Sequence, residues 1–230
     1  MRVVVIGGGI AGLAAAQRLG RDRPELEVLV LEAASTVGGK LRVAELAGHP
    51  IDVGAEALLV RRPEGLDLIE AAGLGAERID PLTTAASVWL AGPHPIPAGT
   101  VLGVPGDPAA AAASGLLSPA TQARLRAERE QEGQAPLFGD VSVGDLVADR
   151  LGEEVVDSLV DPLLGGVYAG RAHDISLRAA IPALAARLET EGGSLVRAAA
   201  AVSAASRAAR PVGAPVFTSV RGGLGRLPQT

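Results

Sequence analysis

The segment Gly7-Gly8-Gly9-Ile10-Ala11-Gly12 spaces its glycines as G-x-G-x-x-G, and an acid, Glu32, stands 20 residues beyond Gly12. Residue types in that order suit the holding of a dinucleotide. Gly7 permits a tight strand-to-helix turn, Gly9 lets the backbone approach a pyrophosphate that any Cβ would obstruct, and Gly12 lets the helix press against the strand. Amides at a helix start carry about half a unit of positive charge and suit a diphosphate. The carboxylate of Glu32 is placed to accept from ribose hydroxyls and to repel a 2′-phosphate. Glycine spacing alone is weak evidence in a chain with 30 glycines, so the neighbouring elements must supply the context.

They do. Val3-Val4-Val5-Ile6 is a continuous β-branched run, as in a strand buried on both faces of a parallel sheet. Ile10, Leu13, Ala14, Ala16 and Leu19 recur at helical spacing, with Gly20 and Pro24 as the stop. Val28-Leu29-Val30-Leu31 repeats the strand signature and ends on Glu32. The opening is thus strand, glycine turn, helix, strand, a right-handed βαβ unit by the crossover rule. A second pair, Gly38-Gly39, is followed by Lys40 and Arg42. Glycines beside cations so soon after the acid either wrap the far side of the same cofactor or simply serve a turn.

Other chemistries are poorly served. Cysteine is absent, which removes thiolate nucleophiles, disulfides and sulfur-ligated metals. His49, His94 and His173 are too scattered for a metal site, and none is expected. The formal charge of −5 advertises neither nucleic acid nor anionic lipid, and points to small molecules as partners. With 230 residues, 48% hydrophobic and 20% charged, the chain is a globular one of one or two domains. No apolar run reaches the ~18 residues of a membrane span and no signal peptide opens the chain, so a cytoplasmic address is expected.

Farther on, short strands and turns are expected over 46–59, a helix over 64–72 stopped by Gly73, and a strand at Ser87-Val88-Trp89-Leu90. Prolines at 93, 95, 97, 105 and 108 argue against other regular structure there, and the composition shift places a domain boundary near residue 80. Residues 119–132 read as a helix whose many charges form a solvated face held by i,i+4 pairs. Further helices are expected over 143–150 (capped by Ser142 or Asp145), 153–164, 183–189 and 195–209, and another starts at Leu224-Gly225-Arg226-Leu227.

Val3 to Leu19, Glu32-Ala33-Ala34, Val37-Gly38-Gly39-Lys40-Leu41 and Asp52-Val53-Gly54-Ala55-Glu56 together resemble the amino-terminal half of the flavin amine oxidase superfamily. Arg61-Arg62-Pro63-Glu64, Pro95-Ile96-Pro97-Ala98-Gly99, Gly152-Glu153-Glu154-Val155-Val156, Ser176-Leu177-Arg178, and Val216-Phe217 with Arg221-Gly222-Gly223-Leu224 narrow it. With Asp161 and the most diagnostic run, Pro162-Leu163-Leu164-Gly165-Gly166-Val167-Tyr168-Ala169-Gly170, the succession is similar to the protoporphyrinogen/coproporphyrinogen oxidase family of soluble bacterial type.

The resemblance implies an α/β fold, a doubly wound, Rossmann-like FAD-binding domain with an inserted, mostly helical substrate domain. The segments are 1–80, the first part of the FAD domain; 81–190, the helical substrate region; and 191–230, the start of the return. It implies FAD as cofactor, touched by Gly7, Gly8, Gly9, Ile10, Ala11, Gly12, Glu32, Ala33, Gly39, Lys40, Gly54, Ala55, Glu56 and Ala57. A porphyrinogen is oxidised to the porphyrin in haem synthesis, coproporphyrinogen III and protoporphyrinogen IX being the two candidates, with dioxygen as acceptor. The flavin does the chemistry, so no catalytic side chain is expected. Arg61 or Arg62 could meet a substrate propionate, because guanidinium binds carboxylate bidentately.

Family members are about twice as long, and their carboxy-terminal half returns to the FAD sheet. The chain therefore reads as an amino-terminal portion, partnered by a missing half, with open sheet edges and an exposed apolar face. The alternatives are another flavin amine oxidase or carotenoid desaturase-like enzyme, or a non-catalytic nucleotide-binding fragment.

Overall fold

The computed structural model describes residues 1–83, 85–209 and 213–230, the side chain of Glu191 excepted. Two compact units emerge. The first joins Met1–Thr84 to Val212–Thr230, and the second is Ala85–Pro211. The long helix over 195–208 belongs to the second unit. Residues 210–212 of the expected return lie outside the described residues.

In the first unit, β1 (Arg2–Ile6), α1 (Ile10–Asp22) and β2 (Glu27–Leu31) form the predicted βαβ, with β1 and β2 parallel in the register Val4↔Leu29 and Ile6↔Leu31. A hairpin of β3 (Val43–Leu46) and β4 (His49–Asp52) follows, turning through Gly48 at φ +79°. β5 (Leu58–Leu59) leads into α2 (Pro63–Ala71), which ends at Gly73 as expected, and β6 (Arg78–Ile79) comes next. β5 and β6 flank β9 (Phe217–Val220), so the middle strand of that antiparallel sheet is supplied by residues far along the chain. Ile69, Leu74, Val220 and Leu224 form a small core around this junction. The βαβ unit is less covered: α1 buries no residue, and Ile6, Leu29 and Leu31 are 87%, 43% and 48% exposed. The expected exposed apolar face is present on these strands.

The second unit opens with a hairpin of β7 (Ser87–Trp89) and β8 (Pro93–Pro95). The prolines were expected to exclude regular structure at β8. They are accommodated because the sheet has two strands, so their missing N–H groups fall on an edge. His94, on β8, places its ring nitrogens 3.3 Å and 3.1 Å from the carbonyls of Ser114 and Leu90.

The helices follow: α3 (Pro108–Ala113), α4 (Pro119–Glu130), α5 (Val143–Leu151) and α6 (Glu153–Val155). A π-helical stretch, Val156–Gly165, carries the chain to α7 (Gly166–Tyr168), and α8 (Leu177–Ala180), α9 (Pro182–Glu191) and α10 (Leu195–Ala208) complete the unit. Wholly buried Leu125, Val147, Leu159, Leu164, Leu184 and Leu195 join one continuous core. Ser142, rather than Asp145, caps α5 by accepting from the Asp145 N–H at 2.9 Å. Among the described residues, no helix is long and apolar enough to cross a membrane.

Arg124, Arg126, Arg129 and Glu130 of α4 are exposed as the solvated face requires, but no i,i+4 ion pair joins them among the described residues, and Glu128 turns inward. Glu128 is only 2% exposed and accepts from Ser194 Oγ (2.7 Å) and from the N–H groups of Leu195 (2.6 Å) and Val196 (3.0 Å), so it closes the start of α10. Arg124 donates to the carbonyls of Ala148, Asp149 and Arg150 at the end of α5, and Arg129 donates to the Gly106 carbonyl. These side chains are cross-ties between elements. The motif around Pro162 has a similar role: Asp161 accepts from the Ala172 N–H at 2.6 Å, and the Tyr168 hydroxyl donates to the Ala180 carbonyl at 3.2 Å.

Asp145 and Glu153 clasp His173, with its Nδ1 at 2.7 Å from Asp145 and its Nε2 at 2.9 Å from Glu153. Hydrogen bonds to Asp145 first, and then to Glu153, raise the pKa of His173.

Two predictions follow from these ties. Glu128→Ala leaves three donors at the start of α10 without acceptors and is expected to lower unfolding stability by about 3 kcal/mol, read by urea denaturation. For His173 the folded pKa lies above the unfolded one, so its contribution is complete below about pH 6.5 and fades as pH rises through the folded value. The melting-temperature gap between the parent and His173→Gln is therefore expected to be wide at pH 6 and to shrink by pH 8.5.

Candidate functional site

The glycine turn between β1 and α1 is built as its spacing requires. Gly7 adopts φ +101°, and its N–H reaches the Leu31 carbonyl at 2.7 Å, holding the turn to the end of β2. A Cβ on Gly12 would lie 1.9 Å from the Gly7 carbonyl oxygen, so the close packing of α1 on the turn depends on glycine there. A Cβ on Gly9 would meet nothing within 4 Å. The space over Gly9 is open, as a cradle for a ligand demands. Gly9 also caps α1 without a side chain, and no acid lies in the first turn. The amides of Ile10, Ala11 and Gly12 therefore begin a 13-residue helix with neither a capping side chain nor a first-turn acid among the described residues. A diphosphate fits that vacancy in charge and in donor geometry.

Glu32 sits beside this start. One oxygen accepts from the Gly8 N–H at 2.7 Å and the other from the Ala34 N–H at 2.8 Å. The Ala34 bond first, and then the Gly8 bond, lower its pKa, with a smaller contribution from the charge of Arg42. The carboxylate is thus fixed, ionised and acceptor-only, with lone pairs left for sugar hydroxyls.

The second glycine pair also meets the turn. The Gly38 N–H donates to the Gly8 carbonyl at 2.7 Å, and Gly9 and Gly38 form a parallel bridge. Gly39, at φ +59°, lies so close that a Cβ there would stand 3.2 Å from the Gly9 Cα. Gly38 was missing from the expected contact residues although its neighbour was included. The glycine doublet was the available signal, and its strand-like pairing could not be read from spacing.

The remaining expected residues fall around this loop. A Cβ on Gly54 would strike the Lys40 carbonyl oxygen at 1.9 Å, and the Ala55 N–H donates to that carbonyl at 2.9 Å. Lys40 and the Gly54 to Ala57 turn are therefore joined through backbone, and the Glu56 carbonyl accepts from Ser219 Oγ at 2.7 Å. Ala33 is exposed beside Glu32. Arg61 and Arg62 are exposed on the connection from β5 to α2, without an ion pair to any described residue.

Asp52 holds a position that sequence reasoning did not recognise. Its oxygens accept from the N–H groups of Leu224 (2.9 Å) and Gly225 (3.1 Å), capping the 3₁₀ helix Leu224–Gln229. The partners are more than 170 residues away in sequence, beyond any local pattern.

The flavin-containing amine oxidoreductase family model matches residues 10–230. The coproporphyrinogen III oxidase of Mycobacterium tuberculosis is 41% identical over 225 residues, which cover 95% of this chain and 47% of that protein. The coproporphyrinogen III oxidase of Staphylococcus aureus is 31% identical, with 85% and 42% covered. A solved structure from Exiguobacterium sp. 255-15, titled "Putative protoporphyrinogen oxidase", superposes with a TM-score of 0.80 at 33% identity, covering 99% of this chain and 49% of that one. A putrescine oxidase variant at 18% identity and TM-score 0.59 shares the fold. The chain spans about half the length of the curated relatives it matches, corresponding to their amino-terminal half. With the glycine cradle and the acid that attends it, these matches make the chain a member of the flavin-containing amine oxidoreductase family, with FAD as its cofactor.

Proposed function

We propose that this chain is the FAD-binding and substrate-region half of a coproporphyrinogen III oxidase, acting in haem biosynthesis in the cytoplasm. The carrying observation is the 41% identity to the mycobacterial enzymes, sustained over 95% of the chain. That similarity favours coproporphyrinogen III over protoporphyrinogen IX.

When bound, FAD supplies the hydride-accepting chemistry, with dioxygen as the proposed final acceptor and hydrogen peroxide as its product. The protein's own residues bind and orient. The first-turn amides of α1 hold the diphosphate, and the open space over Gly9 admits it without a steric barrier. Glu32, already ionised, accepts from the adenosine ribose hydroxyls while its bonds to Gly8 and Ala34 keep it in place. The Gly38-Gly39 crossing braces the turn from the other side. Arg61 and Arg62 carry guanidiniums that no described residue pairs, suited to a propionate of the substrate. Turnover is assigned to the whole protein, in which the other half of the relatives' length completes the flavin and substrate sites.

FAD titration of this chain tests the cofactor part. Glu32→Ala is expected to weaken FAD binding about tenfold, through loss of a charge-assisted acceptor, and Gly9→Val to abolish it. Parental affinity in both variants would overturn the assignment of the site. For the reaction, the chain co-expressed with the remaining half is expected to oxidise coproporphyrinogen III with peroxide release and to leave putrescine untouched; turnover of the amine alone would reject the substrate.

A further inference from the structure

The second unit holds a cavity of about 510 Å³ into which α4 contributes Arg126 and Arg129 and α10 contributes Arg207. Three guanidiniums around one opening are unexpected in a chain of net charge −5. Arg126 and Arg129 are three residues apart on one helix, where like charges repel. Among the described residues Arg126 and Arg207 have no ion-pair or hydrogen-bond partner, and Arg129 is held through the Gly106 carbonyl, at 3.1 Å. One carboxylate, Asp107, lies in the lining; its Oδ1 accepts from the N–H groups of Ala109 and Ala110 at the start of α3, and its single negative charge against three guanidiniums leaves the opening net positive.

The floor is a fixed surface. A Cβ on Gly106 would stand 2.6 Å from the Ala200 nitrogen and 2.7 Å from the Gly99 carbonyl oxygen, so this loop lies directly against α10. Its bond to Arg129 ties the same loop to α4. Ala98, Pro108 and Ala200 give the wall an apolar character between the guanidiniums.

We propose that this cavity is a binding site for a small organic polycarboxylate, a molecule with an apolar body that lies on the Ala98, Pro108 and Ala200 wall and at least two carboxylates that pair with Arg126, Arg129 and Arg207. The fixed floor and the excess of positive charge set the class. A bare inorganic anion would leave the apolar wall uncovered, and an uncharged hydrophobe would leave the guanidiniums unpaired. The choice of probe, though not the pocket, rests on the proposed function.

The probe is coproporphyrin III, a fluorescent tetracarboxylate, titrated into the 230-residue chain with and without saturating FAD. Binding is expected in both cases, weakening as salt rises. The Arg126→Gln/Arg207→Gln double variant is expected to lose at least about tenfold in affinity, while its FAD affinity and melting temperature stay at parental values. Affinity within twofold of the parent in that variant would overturn the site, as would full displacement of the probe by FAD. Displacement by inorganic phosphate at concentrations comparable to the probe would overturn the polycarboxylate class. Loss of FAD binding with retained, arginine-dependent porphyrin binding would overturn the proposed function and leave the pocket standing.

Discussion

The structure rests on a demand of the main chain: each N–H at the start of an element needs an acceptor, and carboxylates far away in sequence supply many of them. Asp52 serves Leu224 and Gly225, Glu128 serves Leu195 and Val196, and Glu154 serves Ser118. Each bond fixes the relation between two segments and removes an orphaned donor. Against that habit, α1 begins on Gly9 with neither a capping side chain nor an acid in its first turn. α9 also starts without a capping side chain or an acid, but on Pro182, which has no N–H to satisfy; at α1 the glycine turn opens space for a ligand's anion over first-turn amides. Binding at this place is prepared by what the chain withholds as well as by what it presents.

Glu32 joins both themes. It is a carboxylate satisfied by backbone N–H groups, as at the structural ties, yet it stands at the edge of the cradle with acceptor capacity to spare. The bonds that lower its pKa also lock its orientation, so in the proposed FAD site little ordering of this side chain remains for the moment of binding.

How far the sequence could be read follows from the range of the interactions involved. The βαβ opening, the turn glycines and Glu32 were legible because each rests on contacts within about thirty residues and on backbone geometry that only glycine tolerates. The helix stop at Gly73 was legible for the same local reason, and the cap of α5 was narrowed to Ser142 or Asp145, of which Ser142 is the acceptor. On α4 it was Glu128 that was misread, because i,i+4 spacing says nothing about a partner 66 residues on, and this carboxylate goes inward to meet Ser194. The proline-bearing strand β8 was missed because edge position is a property of the sheet and not of the segment. Asp52 was quoted within a motif, but its acceptors' partners lie at the other end of the chain.

The placement of β9 has a consequence for biosynthesis. Its residues, 217–220, fill the gap between β5 and β6, which leave the ribosome well over a hundred residues earlier. The helical unit can collapse around its own leucines as it emerges, whereas the sheet of β5 and β6 must wait, its flanking strands unpaired, until residues 217–220 are translated. A nascent chain stalled before residue 217 would therefore display a finished insert on an unfinished host, with two strand edges exposed to any extended segment that drifts by.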